Sequence, residues 1–594
     1  MAEGGERGPD PRAVEAVAAA PAEPSADPRS ETRPLARSEN RPDQRPDLRL
    51  DGTFKRLWFG SPLYALVLAG KAPRAFVAVP PDPWPGDPLR GNAMLAGEFI
   101  AAGLAGAIDG DPWDGALKAG SAGGADPAWL AELHGFAWLR DVKEVGGEEP
   151  ARFAAAMVEG WIERFGRYTP LPWRADVVGE RLAAWISHSA MIFRGADRSF
   201  IDKFFRSLGQ QRRHLMRVVP GLLDGACLLH AIKALIYAQL ALTERDGPLN
   251  AALDLFVREI QRQILADGGH CERSPALQIE VLRDLVDVRG ALVAAHKEVP
   301  SAVQSAIDRM APMVRFFRHS DGGLALYNDS DEGDAAAIDL LLARSAATGK
   351  PLTHAPHIGF HRLVAGSTLV IADTGAPAKR GLDEHAHAGT LSFEMSIGKD
   401  RMIVNCGTFP GADAQWRRAL RATAAHSTAV IDDTNSSEIK PDGSMGARVE
   451  RCVATRNDAD GAFWLDASHD GYWRGFGVMH KRRLYLAAGG QDLRGEDNFV
   501  NEQGKKVKGA GRGFTIRFHL HPSVRVSLVQ NGASALLQMP NGQGWRFRCA
   551  GAALQLSDSV YFGQPGQTKR NEQIVVMGTL QPDGARVKWA ITKA

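Results

Sequence analysis

Two hydrophobic rhythms divide the chain. From about Phe54 to Arg344, apolar residues recur at i, i+3, i+4 and i+7. The stretches GERLAAWISHSAMIF, GACLLHAIKALIYAQLALTE, PLNAALDLFVREIQRQILADGG and PALQIEVLRDLVDVRGALVAAH all read this way, as amphipathic or buried helices do. Gly and Pro punctuate them at Pro220-Gly221, Gly247-Pro248 and Gly268-Gly269, spacings that suit helical hairpins stacked in a bundle or toroid. After about Ala355 the rhythm shortens. STLVIADTG, GTLSFEMSIG, RMIVNCGT, GAFWLDASHDGYW and FTIRFHLH alternate with a period of two between Gly, Asp and Asn, predicting a mostly antiparallel β domain. Helices first and strands afterwards make the chain α+β, with segregated layers instead of a βαβ wind. Residues 1–50 show neither rhythm. Eight Pro, eight Arg and ten acids there leave too little apolar surface to offset ordering entropy, so a disordered tail is expected. The division is thus a tail at 1–50, a helical domain at 51–350 and a β domain at 351–594.

Composition narrows the function classes. Lys plus Arg is 71 against 69 for Asp plus Glu, which gives no chain-wide field for nucleic acid. A mean hydropathy of -0.21 and the lack of a charge-free apolar run long enough to span argue against a membrane span. The five cysteines form no CxxC, and the expectation is buried free thiols. The chain begins MAEGGERGPDPRAVEAV, acidic where an export signal is basic, and no apolar core follows. No GxxxxGK[ST], GxSxG or HExxH occurs, which removes support for nucleotide, serine-hydrolase and zincin chemistry.

The densest polar cluster is Asp383-Glu384-His385-Ala386-His387. Histidines at i and i+2 of an extended segment point to one side, so both can converge on one ion or substrate, or instead cap loops. Asn405 in VNCG and His426 in TAAHST lie on neighbouring segments. Glu272 in GGHCERSP precedes a helix start in which Ser274 is the N-cap and Pro275 the first helical residue. His230 in LLHAIKAL reads as a core or groove histidine, and His319 lies at the domain boundary. Arg417, Arg418 and Arg421 make a basic stripe, either solvated or able to grip a carboxylate.

HAHAGTLSFEMSIGKDRMIVNCGTF, RATAAHSTAVIDD and GVMHKRRLYL resemble the carboxyl-terminal domain of the heparinase II/III family. PLYALVLAG, AVPPDPWPGD, ILADGGHCERSP and IDRMAPMVRFFRHSDGGLALYN resemble its amino-terminal half. The resemblance implies an N-terminal (α/α) toroid, a C-terminal antiparallel β-sandwich, and lysis of an acidic, uronate-containing polysaccharide by β-elimination. It implies that His385 acts at the sugar, with Tyr327, His230 or Glu272 as a partner across the groove. His387, Asn405 and His426 map onto a shell for a divalent cation, Zn or Ca, and Arg417 and Arg421 would neutralise the uronate carboxylate. It also implies a periplasmic or cell-envelope setting, against the cytoplasmic one suggested by the absence of a visible signal. The family's Tyr and His at the helix mouth are Leu277 and Gln278 here, and its Asn and His on the toroid are Ala226 and Cys227. Three functions therefore stand open: a lyase with a rearranged site, a non-catalytic glycan-binding protein, or a glycoside hydrolase using Glu272 and Asp224. Oligomeric state is left open.

Overall fold

The computed structural model describes residues 57–101, 104–108, 113, 126–409, 413–564 and 567–594; the expected tail at 1–50 lies outside them. Helices dominate as far as Ser345, and strands begin at His354. The architecture is a helical toroid followed by a β-sandwich. The first half also carries one short antiparallel hairpin, Glu98–Ala101 with Leu104–Ala107, which the helical rhythm does not anticipate.

The helix Gly225–Leu242 sits at the heart of the toroid, against Ala175–Ser187, Asp246–Gln263 and Pro275–Ala294. Its composition explains the position. It is apolar apart from His230, Lys233 and Gln239, and nearly every side chain is buried, as expected for a helix packed among neighbours. It is the one described helix long and apolar enough to cross a membrane, and the toroid buries 89% of it.

The β domain stacks a nine-stranded sheet on an eight-stranded one. Strand Thr368–Asp373 shows how the alternation is used: every residue is buried, but on two different faces. Leu369 and Ile371 join the toroid core, while Val370 and Ala372 join the core between the sheets. One strand with a period of two thus fastens both layers. Buried polar contacts pin the junction. His319 meets Ser396 at 2.9 Å and Glu394 at 3.0 Å, and Arg401 pairs with Asp321 at 2.6 Å. Arg273 reaches the carbonyls of Ile358 at 2.7 Å and Ala376 at 2.8 Å, together with Asp373.

Candidate functional site

Three loops meet where the toroid faces the sandwich. The first ends at Ser274, which caps the helix Pro275–Ala294 with Pro275 at its start, as the sequence predicts. The second is Asn328-Asp329-Ser330, whose Asn328 and Asp329 both adopt left-handed backbone, φ 49 and 57. Such conformations cost free energy in non-glycine residues and persist where surroundings enforce them. Here they do. Asn328 donates to Arg273 O at 2.8 Å, and Ser330 Oγ accepts from Ala276 N–H at 3.0 Å. The third loop carries both histidines of HAH, and His387 N–H donates to Asn328 Oδ1 at 3.0 Å.

The two histidines converge as their spacing predicts, but on a carboxylate. His385 Nδ1 lies 3.2 Å from Asp329 Oδ2, and His387 Nε2 lies 3.0 Å from Asp329 Oδ1. Thr408 donates to Oδ1 at 3.0 Å, and Arg417 stands 3.9 Å from Oδ2. Burial would raise the Asp329 pKa, but the bonds from His385 and His387 hold it well below the ordinary carboxylate value. For His385, burial opposes the charge, yet Asp329, then Glu272 and Glu384, outweigh burial and raise its pKa above the usual imidazole value. Asp329 is the residue that sequence reasoning missed.

Backbone partners fix the tautomers behind this pair. His426 Nδ1 must donate to Ala422 O at 2.8 Å, and burial holds the ring neutral by lowering its pKa. Its Nε2 therefore accepts from His387 Nδ1 at 3.1 Å. The remaining nitrogen of His387 faces both the N–H and the carboxylate of Asp329, each at 3.0 Å. Asn405, fully buried, receives Ser427 N–H at 3.0 Å and donates to Leu326 O at 3.2 Å. The donor atoms of His387, Asn405 and His426 are thus committed to protein hydrogen bonds, and the set as arranged does not fit a divalent cation. Among the described residues no group of three or more His, Cys, Asp or Glu has the geometry of a metal site.

The other expected residues lie apart from His385 or are otherwise engaged. Tyr327 does not line the groove: it is 2% exposed and its hydroxyl donates to Ile371 O at 2.7 Å. Residues 323–328 are all buried, and Tyr327 joins the toroid core together with Leu324 and Ala325. Arg421 is buried and donates to Ala386 O, at 2.9 and 3.0 Å, and Gly443 O at 2.6 Å. It therefore holds the HAH loop by its backbone while standing at the edge of a cleft. Arg417 remains half-exposed beside a cleft of about 410 Å³ that Glu384 and Arg418 also line. Glu272 Oε1 accepts Ala226 N–H at 2.7 Å, capping the central helix. Burial is the largest cause of its raised pKa. Asp224 caps the same helix and pairs with Arg262, so both acids of the hydrolase reading are tied to that helix start.

His230 belongs to the toroid wall, held by Glu180 and by Asp284 at 3.2 Å, with Lys233 2.6 Å from Asp284. Burial and Lys233 oppose its charge, but the two acids raise its pKa to about 10, so near neutrality it is an imidazolium and not a base. Glu280 lies on the same wall, and desolvation there and Asp284 raise its pKa. His230 and Lys233 balance Glu180 and Asp284 on this wall.

A helical toroid joined to an antiparallel sandwich, with an HxH loop at the junction, defines the class of polysaccharide-lyase-like proteins. Residues 347–590 match the family model for the heparinase II/III-like C-terminal domain. Among curated proteins, FtsZ-localized protein C of Caulobacter vibrioides is 33% identical over 560 residues, covering 91% of this chain and 94% of that protein. The crystal structure of heparinase III superposes with a TM-score of 0.69 at 14% identity, over 90% of this chain and 89% of that one. Heparan sulfate lyase HepC of Pedobacter heparinus gives 0.57 at 16% identity, over 89% and 85%. This chain belongs to the heparinase II/III family.

Proposed function

We propose that this chain is a binding member of the heparinase II/III family that works alongside FtsZ in the cytoplasm, with the family's groove kept and β-eliminative lysis lost. The observation that carries this reading is the charge of the groove. Elimination next to a uronate needs a positive or hydrogen-bond-donating group on the sugar carboxylate, so that charge developing in the transition state is stabilised. Here Arg421 is turned to backbone carbonyls, Ala226 stands on the toroid, and Glu272, Glu280 and Glu384 lie close enough to His385 to act on its charge. A polyanion would be repelled where a lyase must hold it. The Caulobacter relative, alike over nearly its whole length, supports the association with FtsZ.

The test has two arms. The chain is incubated with heparan, alginate and hyaluronan while the ultraviolet absorbance of unsaturated uronate ends is followed; none is expected. In cells, a fluorescent fusion is expected to follow FtsZ, and to do so equally as His385→Ala. Unsaturated ends that vanish in His385→Ala would overturn the reading in favour of the lyase. A fusion indifferent to FtsZ would overturn the association. One observation favours the lyase as second reading: the part-exposed His385–Asp329 pair has the chemistry of a general acid for a departing sugar oxygen.

A further inference from the structure

Away from the groove, large apolar side chains crowd one stretch of surface. Leu57, Trp58, Leu63, Leu66 and Val67, all between residues 57 and 67, are 39–71% exposed, and Met216 is 42% exposed. Leu63, Leu66 and Val67 share one face of the helix Pro62–Leu68, at i, i+3 and i+4. The opposite face buries Tyr64 and Leu68. The segment is anchored. Tyr64 OH meets His214 Nδ1 at 2.7 Å, and Phe59 packs on Tyr64 at 4.8 Å between ring centroids. Arg213 donates to Leu68 O at 2.6 Å, and Arg217 to Val67 O at 3.4 Å. Those bonds set Met216 and the Arg213–Arg217 turn beside the apolar face.

The fringe has one sign of charge. Residues 57–81 contain Lys71 and Arg74 and no acid, and residues 203–222 contain Lys203, Arg206, Arg212, Arg213 and Arg217 and no acid, although Lys203 pairs with Glu159 and Glu163. Lys71, Arg74, Arg206 and Arg217 are exposed. Burial, then Arg212 and Arg217, lower the pKa of Arg213, and no acid opposes them.

We infer that this face is a membrane-contact surface, which seats Trp58 and the three helix side chains in an anionic lipid surface while the fringe binds head-group phosphates. Exposed apolar patches of this kind mark interaction sites. Trp at a polar–apolar boundary, outward Leu and surrounding Lys and Arg are the chemistry of interfacial binding. A second copy of the chain is the poorer occupant, because a twofold contact would press two basic fringes together. The contact is peripheral, since the toroid buries the described helix that could span.

Flotation of the full chain with vesicles tests this, comparing phosphatidylglycerol mixed into phosphatidylcholine with phosphatidylcholine alone. Binding to the anionic vesicles, weakened by salt, is expected. Leu63→Glu with Leu66→Glu should lower the bound fraction about tenfold, and Lys71→Glu with Arg74→Glu should reduce its salt sensitivity. Circular dichroism confirms that the variants fold. Equal binding to neutral vesicles would overturn the role of charge. Binding unchanged by the leucine pair would assign it to other residues and overturn the surface. A dimer that the leucine pair dissolves, without vesicle binding, would give the face to a second copy.

Discussion

Asp329→Asn tests the site directly, because the substitution keeps shape and removes charge. Asp329 is 13% exposed and His387 3%, whereas His385 is 30% exposed. A charge-assisted hydrogen bond contributes about 1.5–3 kcal/mol and a neutral one about 1, and exposure at His385 discounts its share. Together with the bond from Thr408, a loss of about 2 kcal/mol from the stability of the β domain is expected. The sign of the pH dependence follows from His385. Its pKa is raised on folding, so its contribution is complete below the unfolded value, near 6.5. It disappears as pH climbs through the folded value. Asp329, depressed far below the usual carboxylate range, stays ionised throughout. The gap between parent and variant in urea unfolding should therefore be widest below about pH 6 and narrow above the elevated His385 pKa. NMR titration of labelled histidines, with His385→Gln for assignment, should show the His385 pKa falling in the variant. A pH-independent gap together with an unmoved His385 titration would refute the pairing.

Tyr327→Phe should cost about 1 kcal/mol by removing the bond to Ile371 O and leave the proposed FtsZ association unchanged; loss of that association at unchanged stability would return Tyr327 to the groove. Arg273→Met should cost about 3–5 kcal/mol, since it leaves Asp373 buried without its cation. Calorimetry should then resolve toroid and sandwich as separate transitions, and adding Asp373→Asn should restore part of the loss; one unchanged transition would show that Arg273 does not hold the junction.

What the sequence reveals here depends on how local the cause is. The buried helix Gly225–Leu242 and the two-faced strand Thr368–Asp373 are legible because their periods lie within the segments themselves. Ser274-Pro275 is legible as a cap for the same reason. The spacing of His385 and His387 also correctly implies convergence. Its target is not legible, because Asp329 lies 56 and 58 residues upstream and is aimed by two left-handed residues that a non-glycine pair does not advertise. The arginine stripe misleads in another way. Ala414–Arg421 is a helix in which only Leu420 and Arg421 are buried, so its polar composition hides both the helix and the arginine that folds inward. Tyr327 fails similarly: the family resemblance puts it across the groove, while tertiary packing buries it at the toroid–sheet junction.

The electrostatics of the groove tie ligand and chemistry together. Carboxylates at Asp329, Glu272 and Glu384 raise the His385 pKa, and a raised pKa depletes the neutral imidazole that a base requires. A uronate bound beside it would add another negative charge, raising that pKa further while being repelled by Glu272 and Glu280. Each step that would bring a polyanion into place thus removes the base meant to act on it. A neutral ligand is not repelled by Glu272 and Glu280, and a cationic one would also oppose the His385 charge and so lower its pKa. On the proposed reading, the charge that disfavours lysis in this groove is therefore the same charge that selects what it can bind.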